Sequence, residues 1–521
     1  REDKIEDDAF RVVLEQAVAL LKGADMPEDE ADEQRERVLA GFRWILVDEY
    51  QDIGPGQYEL ISALAGRTLQ DEDRKLSLFA VGDDDQNVYS FAGASVEFIR
   101  RFEADYAAKP AFLIENYRST AHIIAAANLL IAPAVHRMKS GNPITIDRGR
   151  AKAPEGGEWQ SRDPVGRGRV QLLPAGVDPL TQAVSVMAEL RRLSALVSDW
   201  SWAKTAVIAR EWKYLEPVRS YCELNGIPAQ MADEQAPHFW RLRETQVLVD
   251  WLRESENKLV SAAGIKNWLD RQADGPWWAM LKEAADEYAF ETGGEELPVG
   301  HYLEWLAEWG REARRRQTGL MLLTAHRAKG LEFDHVVVLD GNWDRSSSNE
   351  DIDAPQRLFY VAMTRARSTL TLARFDGGHR FVDALPESQA IFRRARTELA
   401  APAPELARQY SRLTLGDVDL SFAGRQDPGN GVQRAIAALA AGDGLQLRRE
   451  RERWVLGDAH GTIVGRLAGS YVPPKDMKCI AARVAAIVVR FREDSKPEFQ
   501  RSVHCDRWEV VVPELVFAPG V

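Results

Sequence analysis

The chain has 521 residues, 45% hydrophobic and 28% charged, with a formal net charge of -13 at pH 7. That length exceeds what one core can hold and calls for several domains of ordinary globular composition. The acidic balance argues against a passive nucleic-acid coat with an overall basic footprint, although a groove acts through its local field rather than the total charge.

The N-terminal REDKIEDD is unlike a secretion signal, and no apolar run is long enough to cross a bilayer. Cys222, Cys479 and Cys505 are too scattered for a disulfide framework or a C-x-x-C metal site, which fits a reducing cytoplasm. The first forty-odd residues are acidic and helical in period. Phe42 to Val47 and Leu76 to Val81 then read as buried parallel strands, each ending in an acidic or glycine-rich turn. Functional groups in such sheets collect where a strand's C-terminal end opens into a loop. The Asp48-Glu49-Tyr50-Gln51-Asp52 run and the Gly82-Asp83-Asp84-Asp85-Gln86 run both stand there.

A second α/β stretch begins near Ala111. Its expected strands are Ala111 to Glu115, Arg169 to Leu173, Thr205 to Ala209, Met321 to Leu323, Val336 to Leu339 and Leu370 to Ala373. Helices are expected after Ser119, over Leu180 to Val197, and from Leu215 to an Asn225-Gly226 stop. From about Ala232 to Gln317 the texture turns helical and tryptophan-rich (Trp240, Trp251, Trp268, Trp277, Trp278, Trp305, Trp309). Stacking on bases is one use of such residues; helical spacing favours core packing. Arg311 with Arg314 to Arg316, and Arg448-Arg449 with Arg451, are basic clusters that read as solvated faces. After the stiff linker Ala400 to Glu405, short alternating strands (Trp454 to Leu456, Thr462 to Val464, Ile487 to Phe491, Trp508 to Val512) suggest a small, mostly-β module.

Adjacent carboxylates at a strand end, Asp48 and Glu49, can serve a metal ion and an attacking water, the two needs of phosphoryl transfer. Taken alone, they are equally an acidic turn. Gln86 sits in the next strand-end loop, where an amide can sense a terminal phosphate. Arg118 and Arg365 lie in the second α/β stretch, and guanidinium groups that reach a transferred phosphoryl stabilise its charge.

Five blocks carry a family resemblance: DEYQD (48–52), VGDDDQNVYSFAGA (81–94), LIENYRST (113–120), TAHRAKGLEF (324–333) and RLFYVAMTRAR (357–367). In identity and order they resemble motifs II to VI of the UvrD/Rep/PcrA group of superfamily-one helicases. The resemblance implies an ATP-dependent DNA helicase or translocase moving 3′→5′ on single-stranded or partly duplex DNA, with ATP and Mg²⁺ as cofactors. It implies Asp48 as the Mg²⁺ ligand and Glu49 as the base for water. Gln86 would couple the γ-phosphate to the DNA, with Arg118 and Arg365 as arginine fingers. Tyr117 would stack on the adenine, and Glu332 would hold the ribose with Gly330 nearby. Tyr89 and Phe91 would stack on single-stranded bases, and Thr324 and His326 would touch the strand backbone.

The implied fold is α/β, built of RecA-like P-loop NTPase domains with the first incomplete, plus a helical insertion and a small mostly-β domain. The expected limits are 1–110 and 111–231 with 318–386 for the two RecA-like domains. The insertion is expected at 232–317, a linker at 387–412, and the β-rich domain, faintly similar to HIRAN-type domains, at 413–521.

Departures from the family pattern are specific. No G-x-x-x-x-G-K-[ST] loop is found, so a Walker A segment is expected in cis or in trans, and the chain reads as the C-terminal part of a motor. Ala92 stands where the family has arginine, and Ala354-Pro355 where acids precede the last motif. A rival reading is a non-catalytic DNA-binding or regulatory subunit; a scaffold has no need to keep the phosphate-facing set together. Protein contacts are one expected role of the β module.

Overall fold

The computed structural model describes the chain apart from residues 1, 25, 91–92, 136, 233–236, 255–258, 313–316, 347–349, 399 and 521. Two compact units emerge, one of Arg1–Gln230 with Gly319–Pro402, the other of Met231–Thr318 with Ala403–Val521. Phe91, Ala92 and Arg314 to Arg316 lie outside the described residues. No described helix is long and apolar enough to cross a membrane.

In the first unit, helices Glu2–Lys22 and Glu28–Val38 precede a two-stranded parallel sheet, Trp44–Val47 on Ser77–Ala80, with Leu46 opposite Phe79. One face of this pair meets a small core of Tyr50, Tyr58, Ile61 and Ile99. The other leaves Trp44 70%, Leu46 76% and Phe79 58% exposed. These strands were expected to be buried on both faces, and among the described residues they are not.

The larger sheet of this unit has seven strands in the order Ile391–Arg393, Val170–Pro174, Ala366–Arg374, Phe333–Val338, Thr205–Ala209, Leu320–Thr324, Ala229–Met231. The first five neighbouring pairs are parallel. Thr205–Ala209 and Leu320–Thr324 are buried at every residue, which is why they read as unbroken apolar runs. Helix Pro179–Ser194 starts where Asp178 accepts bonds from the N–H groups of Leu180 and Thr181 with proline in the first turn. Pro355 likewise opens helix Ala354–Met363 at a position where its missing N–H costs nothing. The run expected as a strand from Ala111 is a strand only at Glu115–Asn116, paired with Thr145–Ile146 outside the main sheet.

The second unit joins two stretches that the sequence kept apart. Six strands follow the order Gln409–Arg412, Arg507–Pro519, Met477–Phe491, Gly444–Glu450, Arg453–Gly457, Ile463–Arg466. The helices of 231–318 share one hydrophobic core with this sheet: Leu242, Leu252, Ile265 and Trp277 pack in the same cluster as Val488, Val510 and Trp508. Trp277 Nε1 donates to the Ala485 carbonyl at 3.2 Å, and Arg241 donates twice to the Asp494 carboxylate at 2.9 and 2.6 Å. The other tryptophans of 231–318 pack against that core, as their spacing suggested.

Candidate functional site

The chain turns sharply where strand Trp44–Val47 ends. Glu49 takes the left-handed conformation (φ 50°, ψ 39°), uncommon for a residue with a Cβ. Its N–H donates to Asp48 Oδ1 at 2.8 Å, and the Gln51 amide donates to its carboxylate. Asp48 and Glu49 stay exposed while Tyr50 and Gln51 are fully buried. Tyr50 N–H donates to the Val81 carbonyl at 2.9 Å, and Asp83 N–H to Gln51 Oε1 at 2.9 Å, so the two strand-end loops are fastened together.

Into these loops projects Lys329, 8% exposed. Its ammonium pairs with the Asp52 carboxylate, stands 3.3 Å from Glu49 Oε2, and donates to the Gln86 carbonyl at 3.1 Å. It also lies 5.4 Å from the centre of the Tyr89 ring, within cation–π range. Burial raises the Asp52 pKa and Lys329 opposes the rise. Asp52 Oδ1 is buried without a hydrogen-bond partner.

The arginines stand close by. Arg365 Nη2 lies 3.3 Å from Gln86 Oε1 and donates to Thr364 Oγ1 at 2.9 Å, while its Nε donates to the Val361 carbonyl at 2.9 Å. Burial, with Arg118 nearby, lowers its pKa to about 10, still leaving it charged near neutrality. Arg118 Nε donates to Glu332 Oε2 at 2.5 Å, and Arg367 holds the other oxygen of that carboxylate. Asn116 Oδ1 accepts from Arg118 N–H at 2.9 Å and from Ser119 N–H at 2.8 Å, fixing the loop that presents the arginine.

Of the remaining expected residues, Tyr117 is 73% exposed, with its hydroxyl on Glu115 Oε2 at 3.1 Å, leaving a ring face free for stacking. Gly330 has φ +77°, a conformation that suits glycine. Tyr89 donates its hydroxyl to the His326 carbonyl at 3.3 Å. Thr324, 5% exposed, precedes the short helix Ala325–Ala328. Burial, reinforced by Arg210, lowers the His326 pKa to about 4, so the imidazole is neutral near pH 7. The structure thus joins Glu49, Gln86 and Arg365 in one chain of polar contacts through Lys329, pairs Arg118 with Glu332 in a separate cluster, and brings Tyr89 to His326. Phe91 lies outside the described residues.

Asp48, exposed and with Oδ1 accepting from the Glu49 N–H, offers the kind of carboxylate oxygen that a hard dication takes, whereas the Asp52 carboxylate is engaged by Lys329. Sequence reasoning passed over Lys329 and Arg367. Lys329 stands inside a quoted block three residues before Glu332, and its signal was its fixed place between alanine and glycine in that block. Arg367 carried no separate signal.

The family domain described as UvrD/REP helicase N-terminal matches residues 10–107, and the UvrD-like helicase C-terminal domain matches residues 306–376. ATP-dependent DNA helicase UvrD2 of Mycobacterium tuberculosis H37Rv is 29% identical over 361 residues, covering 64% of this chain and 47% of the relative. For ATP-dependent DNA helicase PcrA of Bacillus subtilis 168 the figures are 26% over 409 residues, 64% and 54%. ATP-dependent DNA helicase UvrD1 of M. tuberculosis H37Rv reaches 48% over 92 residues, 18% of this chain and 12% of that protein. The chain spans about half the length of the UvrD2 and PcrA relatives. Two family domains in sequence order, over a parallel sheet whose loops gather the same motifs, lead to one conclusion: the chain belongs to the UvrD/Rep/PcrA-like superfamily-one helicases.

Proposed function

We propose that this chain supplies the hydrolytic carboxylates, the arginines and part of the DNA track of an ATP-driven motor moving 3′→5′ on single-stranded DNA in the cytoplasm. The observation that carries this reading is the contact of Gln86 with Arg365, which ties a strand-end loop of the first α/β segment to the last motif of the second. Bound Mg²⁺-ATP supplies the phosphoryl group and a metal that neutralises its oxygens. Asp48 holds the metal, Glu49 accepts the proton of the attacking water, and Arg118 and Arg365 face the γ-phosphate. Arg118, which pairs with Glu332 here, would turn to the γ-phosphate and leave that carboxylate to hold the ribose, while Tyr117 would stack on the adenine with Gly330 nearby. Tyr89 and Phe91 stack on bases, while Thr324 and a neutral His326 meet the strand backbone.

A Walker A segment, in cis or in trans, brings the phosphate-cradling amides. The exposed face of Trp44, Leu46 and Phe79 favours a further polypeptide layer beside that sheet. The test is DNA-stimulated ATP hydrolysis by the full protein, with Glu49→Gln as control. Turnover that falls at least ~10²-fold in Glu49→Gln supports the motor. Absence of turnover with DNA and Mg²⁺ present refutes it and favours a DNA-binding subunit without hydrolysis.

A further inference from the structure

Three consecutive aspartates, Asp83 to Asp85, have carboxylate oxygens within 4.8 Å of one another, the grouping expected of a cation site. Protein cations are already there. Arg137 Nε and Nη2 donate to the two oxygens of Asp85 at 2.8 and 2.6 Å. Met138 N–H donates to Asp84 Oδ2 at 2.9 Å. Lys139 Nζ stands 2.6 Å from Asp83 Oδ1 and 3.6 Å from Asp85 Oδ2. Residue by residue, 137 meets 85, 138 meets 84 and 139 meets 83. The Arg137 and Lys139 side chains are each 11% exposed and that of Asp85 2%.

Arg137 to Lys139 follow helix Ala121–Ile131, so they belong to the second α/β segment, while the aspartates belong to the loop that carries Gln86. Asp83 is the connecting group. One of its oxygens takes Lys139; the other accepts from Gln86 Nε2 at 2.8 Å. The Gln86 carbonyl oxygen Oε1 is then left to face Arg365 at 3.3 Å. An amide held through its NH₂ by a fixed carboxylate cannot flip its oxygen away from the arginine without breaking that bond. A bidentate arginine–carboxylate pair fixes angle as well as distance, so Arg137 sets the loop's orientation while Lys139 sets that of Asp83.

We propose that Arg137 and Lys139 form a clamp that orients Gln86, acting as positioning residues through Asp85 and Asp83. The clamp stands on this geometry; its consequence for hydrolysis rests on the function proposed above. The acidic triplet is thereby a socket for side chains of the same protein rather than a metal site. Because the contacts join two α/β segments, the Gln86 loop is anchored to the second segment as well as to its own strand.

The test is amide hydrogen exchange on this chain in Arg137→Met, Lys139→Met and Asp83→Asn. Exchange is expected to rise about tenfold or more over residues 83–89 while the strands Thr205–Ala209 and Leu320–Thr324 keep their protection. Lys139→Arg, which keeps a cation at Asp83, should restore most of the protection. Unchanged exchange over 83–89 would overturn the clamp. So would a rise shared equally by the seven-stranded sheet, which would assign these residues a general structural role. In the full protein, a double substitution, Lys139→Met with Gln86→Ala, should turn over no more slowly than Gln86→Ala alone, with the KM for ATP within about twofold of the single variant. Multiplied losses would overturn the positioning role. If no variant and no parent hydrolyses ATP, the motor reading fails while the exchange result still decides the clamp.

Discussion

Replacing Lys329 by methionine keeps most of the side chain's volume and removes its charge. Lys329 pairs with Asp52, stands 3.3 Å from Glu49 and donates to the Gln86 carbonyl at 3.1 Å, all at 8% exposure. Removing one partner of a buried pair strands the other, at about 3–5 kcal/mol. Asp52 still has Gln51 Nε2 at 3.3 Å and a side chain 17% exposed, so the lower end, ~3 kcal/mol, is expected. Asp52→Asn alone should cost about 1–2 kcal/mol, because Lys329 keeps Glu49 and the Gln86 carbonyl. The double variant should cost little more than Lys329→Met, giving a coupling of roughly 1–2 kcal/mol.

The pH dependence has a definite sign. Burial already raises the Asp52 pKa against Lys329, so removing the lysine raises it further. A carboxyl raised in the folded state is a stability cost that grows as pH rises from the unfolded pKa towards the folded one. The gap between parent and Lys329→Met should therefore be wider at pH 8 than at pH 5. Scanning calorimetry of the four proteins reads this as a fall of roughly 5–10 °C in the transition of the first unit for Lys329→Met. A coupling under ~0.5 kcal/mol, or a gap that narrows as pH rises, would refute the reasoning.

Glu332 is held by Arg118 and Arg367, so Glu332→Gln should release Arg118; binding of a fluorescent ATP analogue to the full protein should weaken about tenfold, and unchanged affinity would count against a ribose contact. His326 and His335 both have pKa values lowered to about 4, burial first in each. Their neutral burial is fully favourable above the unfolded pKa near 6.5 and is lost as pH falls towards 4, at most ~3 kcal/mol each, so urea midpoints of the first unit should drop over that window and less so in His335→Gln. Trp277→Phe removes the bond to Ala485 and should destabilise the second unit by about 1–2 kcal/mol, with helices and sheet unfolding in one calorimetric transition. Two separate transitions would contradict the shared core.

What the sequence determined was local or ordered along the chain. Thr205–Ala209 is apolar at every position because both faces are covered, and a run of that kind shows itself without knowledge of its neighbours. The motif blocks were legible because backbone turns and phosphate chemistry need particular residue types at fixed spacing. Strands Met477–Phe491 and Arg507–Pro519 were read too short: the first carries register shifts between Cys479 and Ala481 and between Val484 and Ala486, and the second holds Pro513, all of which interrupt alternation. Tertiary structure alone decided the rest. That the helices of 231–318 share a core with the C-terminal sheet depends on contacts such as Trp277 to Ala485 and Arg241 to Asp494, between residues more than two hundred positions apart. Arg137 and Lys139 acquire meaning only opposite Asp85 and Asp83, and Lys329 only opposite Asp52. A side chain's type is local, but the charge it neutralises lies wherever the fold places it.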